Sequence, residues 1–448
     1  MTRSNPTRIA VALLAAGALL SSAGCGLSGG GSDDAKQSVR TGEVAGRITF
    51  RTLQLKPAFT AYVQGVIDAF EKQYPQAEVV WEDVPGDGYN EKLVADAQAG
   101  ALPDVVNLST DSFQLLGDRG MLADVADVAE LDGALAKEYV PGAWEQFKLP
   151  GRGDSVYAYP WYVTPEILTY NRELFEKAGL DPDRPPTSVE QFFDCAERIA
   201  AASGGRYSAF MADPKGRLPG DWQKMGVPIL SEKQDRFTFD TDKAVEWVER
   251  MKDLYAKGAM PKESLLKSDD INQLYGSGKI VFGPGSPGFV KDIKQNAPQI
   301  YAKTQVAGAV TGKLGHIGIY AQSLGIRKDT EHLDAAAEFA KWVTNGPNQV
   351  GFSRKATIYP SNAQGLADPF FSDKGDGKDA ETLARAVGAD QLKTAALDAN
   401  TPVQWTNQVG DAVVREMQKA IQGEQDPRTA VRKAQEAANK LLAAAAEK

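Results

Sequence analysis

ITFRT (48–52), AEVVWEDV (77–84) and PDVVNLS (103–109) are three short runs rich in β-forming residues, and two amphipathic segments separate them. The first of these segments repeats apolar residues at helix spacing, at Phe59, Val63, Val66, Ile67 and Phe70. The second is NEKLVADAQAG (90–100). Strand, helix, strand, helix, strand in units this short predicts right-handed crossovers and a mainly parallel sheet covered by helices. The predicted fold class is therefore α/β.

The loops that follow these three strands are the first place to expect a ligand. In open α/β sheets, ligands bind beyond the carboxyl ends of the strands. Here those loops are 53–60, 85–88 and 109–112, and they contain Gln54 and Ser109. Both polar side chains are candidate ligand contacts.

A second set of strand and helix patterns begins near residue 157. It includes YAYPWYVTPEILTYN (157–171), a helix for which Thr187 and Glu190 form the predicted capping box, and the helical AVEWVERMKDLYAKG (244–258). The strand-like KIVFG (279–283) follows. Because no linker-like segment separates the two sets, the sequence predicts two lobes joined by several strand crossings.

The composition excludes several kinds of chemistry. The chain has 448 residues with 59 acidic and 50 basic side chains, a net charge of -9, and only two histidines and two cysteines. A basic surface, which nucleic acid binding requires, is not expected. His316, His332, Cys25 and Cys195 are scattered along the chain, so we predict no metal site, no cofactor and no nucleic acid partner.

The N-terminus has the layout of a secretory signal. Arg3 and Arg8 precede a 12-residue apolar run (9–20), too short for the roughly 20 residues that span a bilayer, and small residues precede Cys25. This resembles a bacterial lipoprotein signal. We therefore expect removal of 1–24, acylation of Cys25, and a flexible tether over 25–46 that holds the protein on the outer face of the cell membrane. The alternative is a plain secretory peptide with an incidental cysteine.

The remaining cysteine and one glycine-rich loop have simpler interpretations. Cys195 lies on a helical pattern beside apolar residues, which predicts a packing role. GPGSPG (283–288) fits a dinucleotide-binding pattern, but Pro284 and Pro287 remove amide donors that a pyrophosphate would need.

Three tryptophans lie beside proline or glycine, where no periodicity calls for a large apolar group: Trp161, Trp222 and Trp405. Aromatic faces beside loops suit ligands with flat apolar surfaces and a hydroxylated rim, such as sugars. The alternative for each one is a loop tryptophan that packs against a lobe.

The chain resembles the extracellular solute-binding proteins of ABC transporters, the family that includes the maltose- and multiple-sugar-binding proteins. The resemblance covers nearly everything from residue 47 onward. It is carried, in order, by AGALPDVVNLSTDSFQLLGDRGMLADV (99–125), YPWYVTPEILTYNRELFEKAGLDPDRPPTSVEQF (159–192), FDTDKAVEWVERMKDLYAKG (239–258), YGSGKIVFG (275–283), DAAAEFAKWVTN (334–345) and QVGFSRKATIYPSN (349–362).

This resemblance implies a two-lobed periplasmic-binding-protein-like fold of type II with hinge strands between the lobes. Lobe one is expected at 47–161 plus 323–358, and lobe two at 162–322 plus 359–448. The three crossings are expected at 162–167, 312–322 and 357–362. Ligand binding between such lobes closes them by hinge motion, and a permease distinguishes the closed form from the open one.

The resemblance also implies ligand-binding residues. Asp111 matches an acidic position that accepts hydrogen bonds from sugar hydroxyls. Thr164 occupies a hinge position where some sugar binders have Glu, and Trp222 matches a region that supplies an aromatic platform. The loop after KIVFG offers Ser286 and backbone where many members have an aromatic, and Trp405 is a candidate replacement. The expected set is completed by Trp161, Tyr162 and Tyr320.

The function predicted is capture of a sugar or oligosaccharide by a monomeric, lipid-anchored protein that delivers it to the transmembrane subunits of an ABC permease, with no chemistry on the ligand. One alternative is a non-sugar solute on the same scaffold, such as a phosphorylated polyol, for which Lys56 and Arg354 are the candidate cations. A second is a secreted carbohydrate-active enzyme with paired carboxylates drawn from Glu82, Asp83, Asp87 and Asp111.

Overall fold

A computed structural model describes residues 42–128, 135–149, 151–265, 270–312, 315–394, 401–402 and 404–446. The predicted signal (1–24), the lipidation site Cys25 and most of the predicted tether lie outside the described residues. None of the helices in the described part of the chain combines the length and the apolar character needed to cross a membrane.

The described residues form alternating strands and helices. The strands are β1 Gly46–Leu53, β2 Ala77–Val84, β3 Val105–Ser109, β4 Ala158–Pro165, β5 Ile167–Asn171, β6 Thr304–Gly308, β7 Ile319–Ile326 and β8 Tyr359–Pro360. The helices are α1 Thr60–Gln73, α2 Tyr89–Gln98, α3 Thr110–Gly117, α4 Val125–Val128, α5 Pro141–Glu145, α6 Arg172–Lys177, α7 Val189–Ser203, α8 Pro214–Lys224, α9 Asp242–Ala256, α10 Ile271–Gly276, α11 Pro287–Asn296, α12 Pro298–Tyr301, α13 Leu333–Val343, α14 Gly346–Ser353, α15 Ala363–Leu366, α16 Pro369–Ser372, α17 Ala380–Thr394, α18 Asn407–Ile421 and α19 Pro427–Ala446. The predicted α/β class is confirmed.

The larger sheet is mixed rather than mainly parallel. Its strand order is β2-β1-β3-β7-β4-β8. β1 pairs in parallel with β2 and β3, as the opening alternation predicts. The pairings of β7 with β3 and β4, and of β4 with β8, are antiparallel. The prediction of a mainly parallel sheet was wrong for this half, because β7 arrives from the second part of the molecule and runs against its neighbours.

A second, two-stranded sheet pairs β5 with β6 in antiparallel register, from Ile167 opposite Gly308 to Asn171 opposite Thr304. A single residue, Glu166, separates β4 of the first sheet from β5 of the second. The chain therefore leaves the larger sheet at Glu166 and returns to it between β6 and β7. The run KIVFG, expected as a strand, makes only isolated bridges at Ile280 and Phe282.

Two main hydrophobic cores are built on these sheets. The sheet core packs both faces of the larger sheet and includes Phe50, Val105 and Phe339, each at most 1% exposed. The helical core is built around Trp247, which is fully buried, and Met417. Such separate cores are what two α/β units require, since each must bury its own apolar face.

The sheet core continues past the expected boundary at residue 358. Tyr359, Leu366 and Phe371 all belong to it. α17 then contributes Ala389 to the sheet core and Ala384 to a small separate cluster beside Ile167. The segment 357–362, expected as the third crossing, is thus packed on the larger sheet, and the chain departs from it only along α17.

Local details of two helices follow their sequence signals. The N-cap of α7 is Ser188, whose hydroxyl accepts from the Gln191 amide at 3.2 Å, so the predicted capping box begins one residue later than Thr187. Cys195 is partly buried against the helical core, in line with a packing role. Burial raises the pKa of its thiol to about 11.

Candidate functional site

A cavity of about 770 Å³ lies where residues of the larger sheet meet residues of α8 and the segment 282–285. The sheet side contributes the start of α3 and of β7, and the opposite wall is formed mainly by α8. Its volume is within the range of about 300–1,000 Å³ that ligand pockets occupy. We call it the central cavity.

The sheet side of the central cavity presents hydroxyls and one carboxylate. The Ser109 hydroxyl caps α3 by accepting from the Ser112 amide at 3.3 Å, which leaves Asp111 exposed in the first turn. Tyr320 is 53% exposed, and its hydroxyl accepts a hydrogen bond from the Gln322 side chain. Burial raises the pKa of Tyr320, and the charge of nearby Asp111 raises it further. These side chains can accept hydrogen bonds from a ligand, and the hydroxyls can also donate.

The opposite wall is a face of α8. Arg217, Asp221 and Lys224 follow one another at helical spacing and line the cavity together. Arg217 Nη2 lies 3.3 Å from Asp221 Oδ2. The Arg217 guanidinium also lies over the Phe192 and Phe210 rings, 5.1 and 5.3 Å from their centroids. The cation therefore lies over apolar rings and is already paired.

Glu166 joins this wall to the crossing strands. Lys224 Nζ lies 2.6 Å from Glu166 Oε2, and the Lys224 side chain is only 7% exposed. The Glu166 amide donates to the Gly318 carbonyl at 2.8 Å, and its own carbonyl accepts from the Gln391 amide group at 2.9 Å. The carboxylate is thus fixed at the point where the chain passes from one sheet to the other.

The described lining of the central cavity is acidic overall. Four acids face two bases there, Asp111, Glu166, Asp213 and Asp221 against Arg217 and Lys224, a net charge of -2. Both bases are already paired with an acid of the same lining. The cavity therefore favours a neutral ligand that donates hydrogen bonds over an anion.

The structure brings together three of the predicted site residues. Ser109, Asp111 and Tyr320 line the central cavity. Thr164 is the strand neighbour of Tyr320 but does not line the cavity. Gln54 and Ser286 are also outside the lining, and the Ser286 hydroxyl caps α11 by accepting from an amide.

The predicted aromatic contacts are packed into the cores instead. Trp222 is fully buried, with its ring centroid 5.0 Å from that of Phe239. Trp161 is 2% exposed and belongs to the sheet core, against which Tyr162 also packs. Trp405 packs on the helical core. In this structure none of these rings lines the central cavity as an aromatic platform. β4 and α8 turn the Trp161 and Trp222 rings into the cores, and Trp405 lies before α18 and packs on the helical core.

Sequence reasoning missed Glu166, Arg217, Asp221 and Lys224. The signal was present in the spacing of the last three. It was obscured because α8 contains Pro219 and two glycines, which indicate a loop, although Pro214 at its start is a normal helix beginning.

The paired carboxylates considered for catalysis are not assembled. Asp83 accepts from the Leu55 and Lys56 amides at 2.9 and 2.8 Å, and Glu82 pairs with Arg51 at 2.9 Å. Of the four acids considered, only Asp111 lines the central cavity. Within the described ranges there is also no cluster of three His, Cys, Asp or Glu side chains that could hold a metal ion.

Comparison with known proteins places this geometry in a family. Residues 55–350 match the family described as bacterial extracellular solute-binding protein. A binding protein of Brucella abortus (strain 2308) is 26% identical over 287 residues, 61% of this chain, and the chain covers 66% of that relative's length. The sn-glycerol-3-phosphate-binding periplasmic protein UgpB of Rhizobium meliloti (strain 1021) is 21% identical over 88% of this chain and 94% of its own length.

Solved structures show the same architecture. A crystal structure of a protein from Synechococcus sp. MITs9220, assigned as a periplasmic oligosaccharide-binding protein, matches with a TM-score of 0.79 and 28% identity over 89% of this chain and 99% of its own. The predicted two-lobed periplasmic-binding-protein fold is therefore confirmed, and these relatives are binding proteins rather than enzymes. The family model matches well over half of the sequence, and the chain belongs to the bacterial extracellular solute-binding proteins.

Proposed function

We propose that this protein captures a neutral sugar or oligosaccharide in the central cavity and delivers it to the transmembrane subunits of an ABC permease. It acts as a monomer on the outer face of the cell membrane, held there by a lipid on Cys25. The oligosaccharide assignment of the Synechococcus structure supports this ligand class.

The observation that carries the proposal is the chemistry of the cavity lining. Ser109, Thr110 and Tyr320 offer hydroxyls, and Asp111 offers an exposed carboxylate. Carboxylates accept short, strong hydrogen bonds from ligand hydroxyls. The apolar rings of Phe192, Phe210 and Phe282 lie in the same lining. This mixture of polar groups and apolar rings suits a sugar.

A phosphorylated polyol is the second candidate, because UgpB binds sn-glycerol 3-phosphate. Its phosphate would need an uncommitted cation in the cavity. Arg217 and Lys224 are both paired there, and neither Lys56 nor Arg354 lines the cavity. Lys56 instead lies over the Trp81 ring, 4.1 Å from its centroid. The charge balance therefore favours the neutral ligand.

The test is a thermal-shift screen against neutral sugars and glycerol 3-phosphate, followed by titration calorimetry on the hits. A ligand at 100 times its Kd adds about 2.7 kcal/mol of stability. A shift with glycerol 3-phosphate and none with any sugar would refute the sugar proposal.

Substitution of Asp111 then tests the site itself. Asp111→Asn should weaken sugar binding by about tenfold or more, because a hydrogen bond to a charged group contributes about 1.5–3 kcal/mol. The matched control is Asp118→Asn, an exposed acid at the other end of the same helix. Equal affinity in the two variants would remove Asp111 from the site.

The proposed anchor is tested separately. Cys25→Ser should release the protein from the membrane fraction into the medium or the periplasm, since a single thiol carries the proposed lipid. Retention of this variant on the membrane would contradict lipid anchoring at Cys25.

A further inference from the structure

A second, smaller cavity of about 100 Å³ lies among the end of α14, the segment 354–359, α16, the start of α11 and the first turns of α17. It shares no lining residue with the central cavity. Its volume is several times the roughly 10–15 Å³ that one water molecule needs, so it can hold a small ion but not a disaccharide. We call it the basic cavity.

The charge of the basic cavity is opposite to that of the whole protein. Its described lining contains Lys291, Arg354, Lys355 and Arg385 against a single acid, Glu381. The net charge of this lining is therefore +3 on a chain of net charge -9. Glu381 is also committed elsewhere, because Lys294 Nζ lies 2.8 Å from its Oε2. Such a concentration of one sign raises the local concentration of counter-ions.

Two of these cations lie against the same aromatic ring. The guanidinium carbons of Arg354 and Arg385 lie 4.7 and 4.2 Å from the centroid of Phe370. Arg385 Nε donates to the Phe370 carbonyl at 2.7 Å, and Arg354 Nη2 lies 2.8 Å from Asp368 Oδ1. Each guanidinium has five N–H donors, so most of them remain available to an oxyanion.

The other two cations and one buried hydroxyl are uncommitted. Within the part of the chain that the structure describes, neither Lys291 nor Lys355 pairs with a carboxylate. Ser353 is only 5% exposed and lines the cavity, and its Oγ is buried with no hydrogen-bond partner among the described residues. A buried hydroxyl without a partner is costly, so an acceptor that reached it from the adjoining cavity would stabilise it.

We propose that the basic cavity binds a small tetrahedral oxyanion of the phosphate or sulfate type, bound by the two guanidinium groups, the two lysines and the Ser353 hydroxyl. Guanidinium and ammonium groups make charge-assisted bonds to such oxygens, and the planar guanidinium makes them in pairs. The site is independent of the sugar proposed for the central cavity.

The test is titration calorimetry of the whole exported protein with inorganic phosphate and with sulfate, at constant ionic strength balanced by chloride. We expect one saturable site. The variant Lys291→Gln/Lys355→Gln should bind phosphate on the order of a hundredfold more weakly, since each of its two lost charge-assisted bonds contributes about a factor of ten. The control is Lys72→Gln/Lys341→Gln, which removes two exposed lysines elsewhere and should stay within about twofold of the wild type.

Ser353→Ala supplies a second variant that keeps every charge. It should weaken phosphate binding severalfold if the hydroxyl donates to the ion, and leave it unchanged if the cavity attracts anions only by net charge. Glycerol 3-phosphate is titrated in parallel, with and without a saturating sugar from the screen. Competition by the sugar would place the phosphate group in the central cavity.

The outcomes separate the two proposals. Absence of saturable phosphate binding, equal weakening in the control variant, or phosphate binding that the sugar displaces would overturn the oxyanion site. A protein that binds phosphate in this way but no sugar would retain the oxyanion site and refute the proposed function.

Discussion

Neutralising Glu166 should destabilise the protein more than removing its partner, Lys224. The two groups are unequally buried, with the Lys224 side chain 7% and the Glu166 side chain 38% exposed. In Glu166→Gln the ammonium stays in place, almost buried, without a carboxylate. In Lys224→Met the buried charge is removed, and the remaining carboxylate can be hydrated. Because Lys224 is more buried than Glu166, we expect the larger loss of stability in Glu166→Gln.

The magnitude follows from the same geometry. Breaking a fully buried pair costs about 3–5 kcal/mol, and an exposed pair contributes about 0.2–1 kcal/mol. Because Glu166 is partly in water, and because the amide oxygen of glutamine can still accept a hydrogen bond from the Lys224 ammonium, we expect about 1–2 kcal/mol for Glu166→Gln. For Lys224→Met we expect a loss of less than about 1 kcal/mol of unfolding free energy, since the methionine side chain fills the space of the apolar lysine stem.

The assay is urea unfolding at pH 7, followed by both tryptophan fluorescence and circular dichroism so that separate unfolding of the two lobes is detected. The double variant closes a cycle that isolates the coupling between the two groups. A second measurement uses the charge of the central cavity. Relative to the wild type, Glu166→Gln should improve binding of an anionic probe such as glycerol 3-phosphate to that cavity, and Lys224→Met should weaken it.

Two results would refute this reasoning. Equal costs for the two single variants would mean that the ammonium is no less hydrated than the carboxylate. A coupling energy near zero in the cycle would mean that the pair contributes nothing to holding the crossing strand against α8.

Three other predictions concern packing and ionisation. Gly312→Ala should lower the free energy of unfolding in urea by about 1–3 kcal/mol, because its Cβ would lie 1.7 Å from the Lys224 carbonyl oxygen. The control is Gly65→Ala, whose Cβ has nothing within 4 Å and which should stabilise α1 by up to about 1 kcal/mol. Equal effects of the two variants would contradict the close approach at Gly312. Burial acts to raise the pKa of Asp104, but hydrogen bonds from two threonines and an arginine outweigh it and lower that pKa. The stabilisation by the Asp104 carboxylate is therefore present above the unfolded pKa of about 3.9 and lost as pH falls through the folded value. The wild type should be more stable than Asp104→Asn at pH 7, and this difference in unfolding free energy should close in acid. A difference independent of pH would be inconsistent with the lowered pKa. Alkylation of Cys195, with its pKa of about 11, should at pH 8 be on the order of a hundredfold slower in the native than in the unfolded protein, as measured by peptide mass spectrometry; equal rates would refute the burial of this thiol.

Local pattern was sufficient to predict the first part of the fold. The run 77–84 coincides with β2, and α19 begins at Pro427 directly after Asp426, whose carboxylate accepts from the Thr429 amide. These signals depend on side-chain alternation and capping, which neighbouring residues determine. The direction of β7 was not accessible in this way. It depends on where the chain re-enters the sheet after β6, which is a property of the tertiary path.

The candidate site likewise contains some residues that local sequence identifies and others that depend on the tertiary fold. Ser109 was identified because it follows a predicted strand, and Asp111 because it matches an acidic position of the family that the chain resembles. The edge of the sheet positions both. Trp222 was expected to face the ligand because it follows proline and glycine, but α8 forms despite Pro219 and turns that ring into the helical core. The same helix turns Arg217 and Lys224 toward the central cavity. The failure to recognise α8 as a helix from its sequence therefore explains both the wrong expectation for Trp222 and the omission of Arg217 and Lys224.

The two cavities of this acidic chain differ in whether their basic side chains are paired with carboxylates. In the central cavity every lysine and arginine of the described lining is matched by a carboxylate within about 3.3 Å, so a neutral ligand is not required to supply charge. In the basic cavity Arg354 has a carboxylate partner, whereas Arg385 is held by a carbonyl and an aromatic ring and the lysines have no described partner. Like charges brought together in this way repel unless an anion compensates them. If a phosphate group enters this protein at all, the charge distribution directs it to the basic cavity, where it would leave the central cavity open to a sugar.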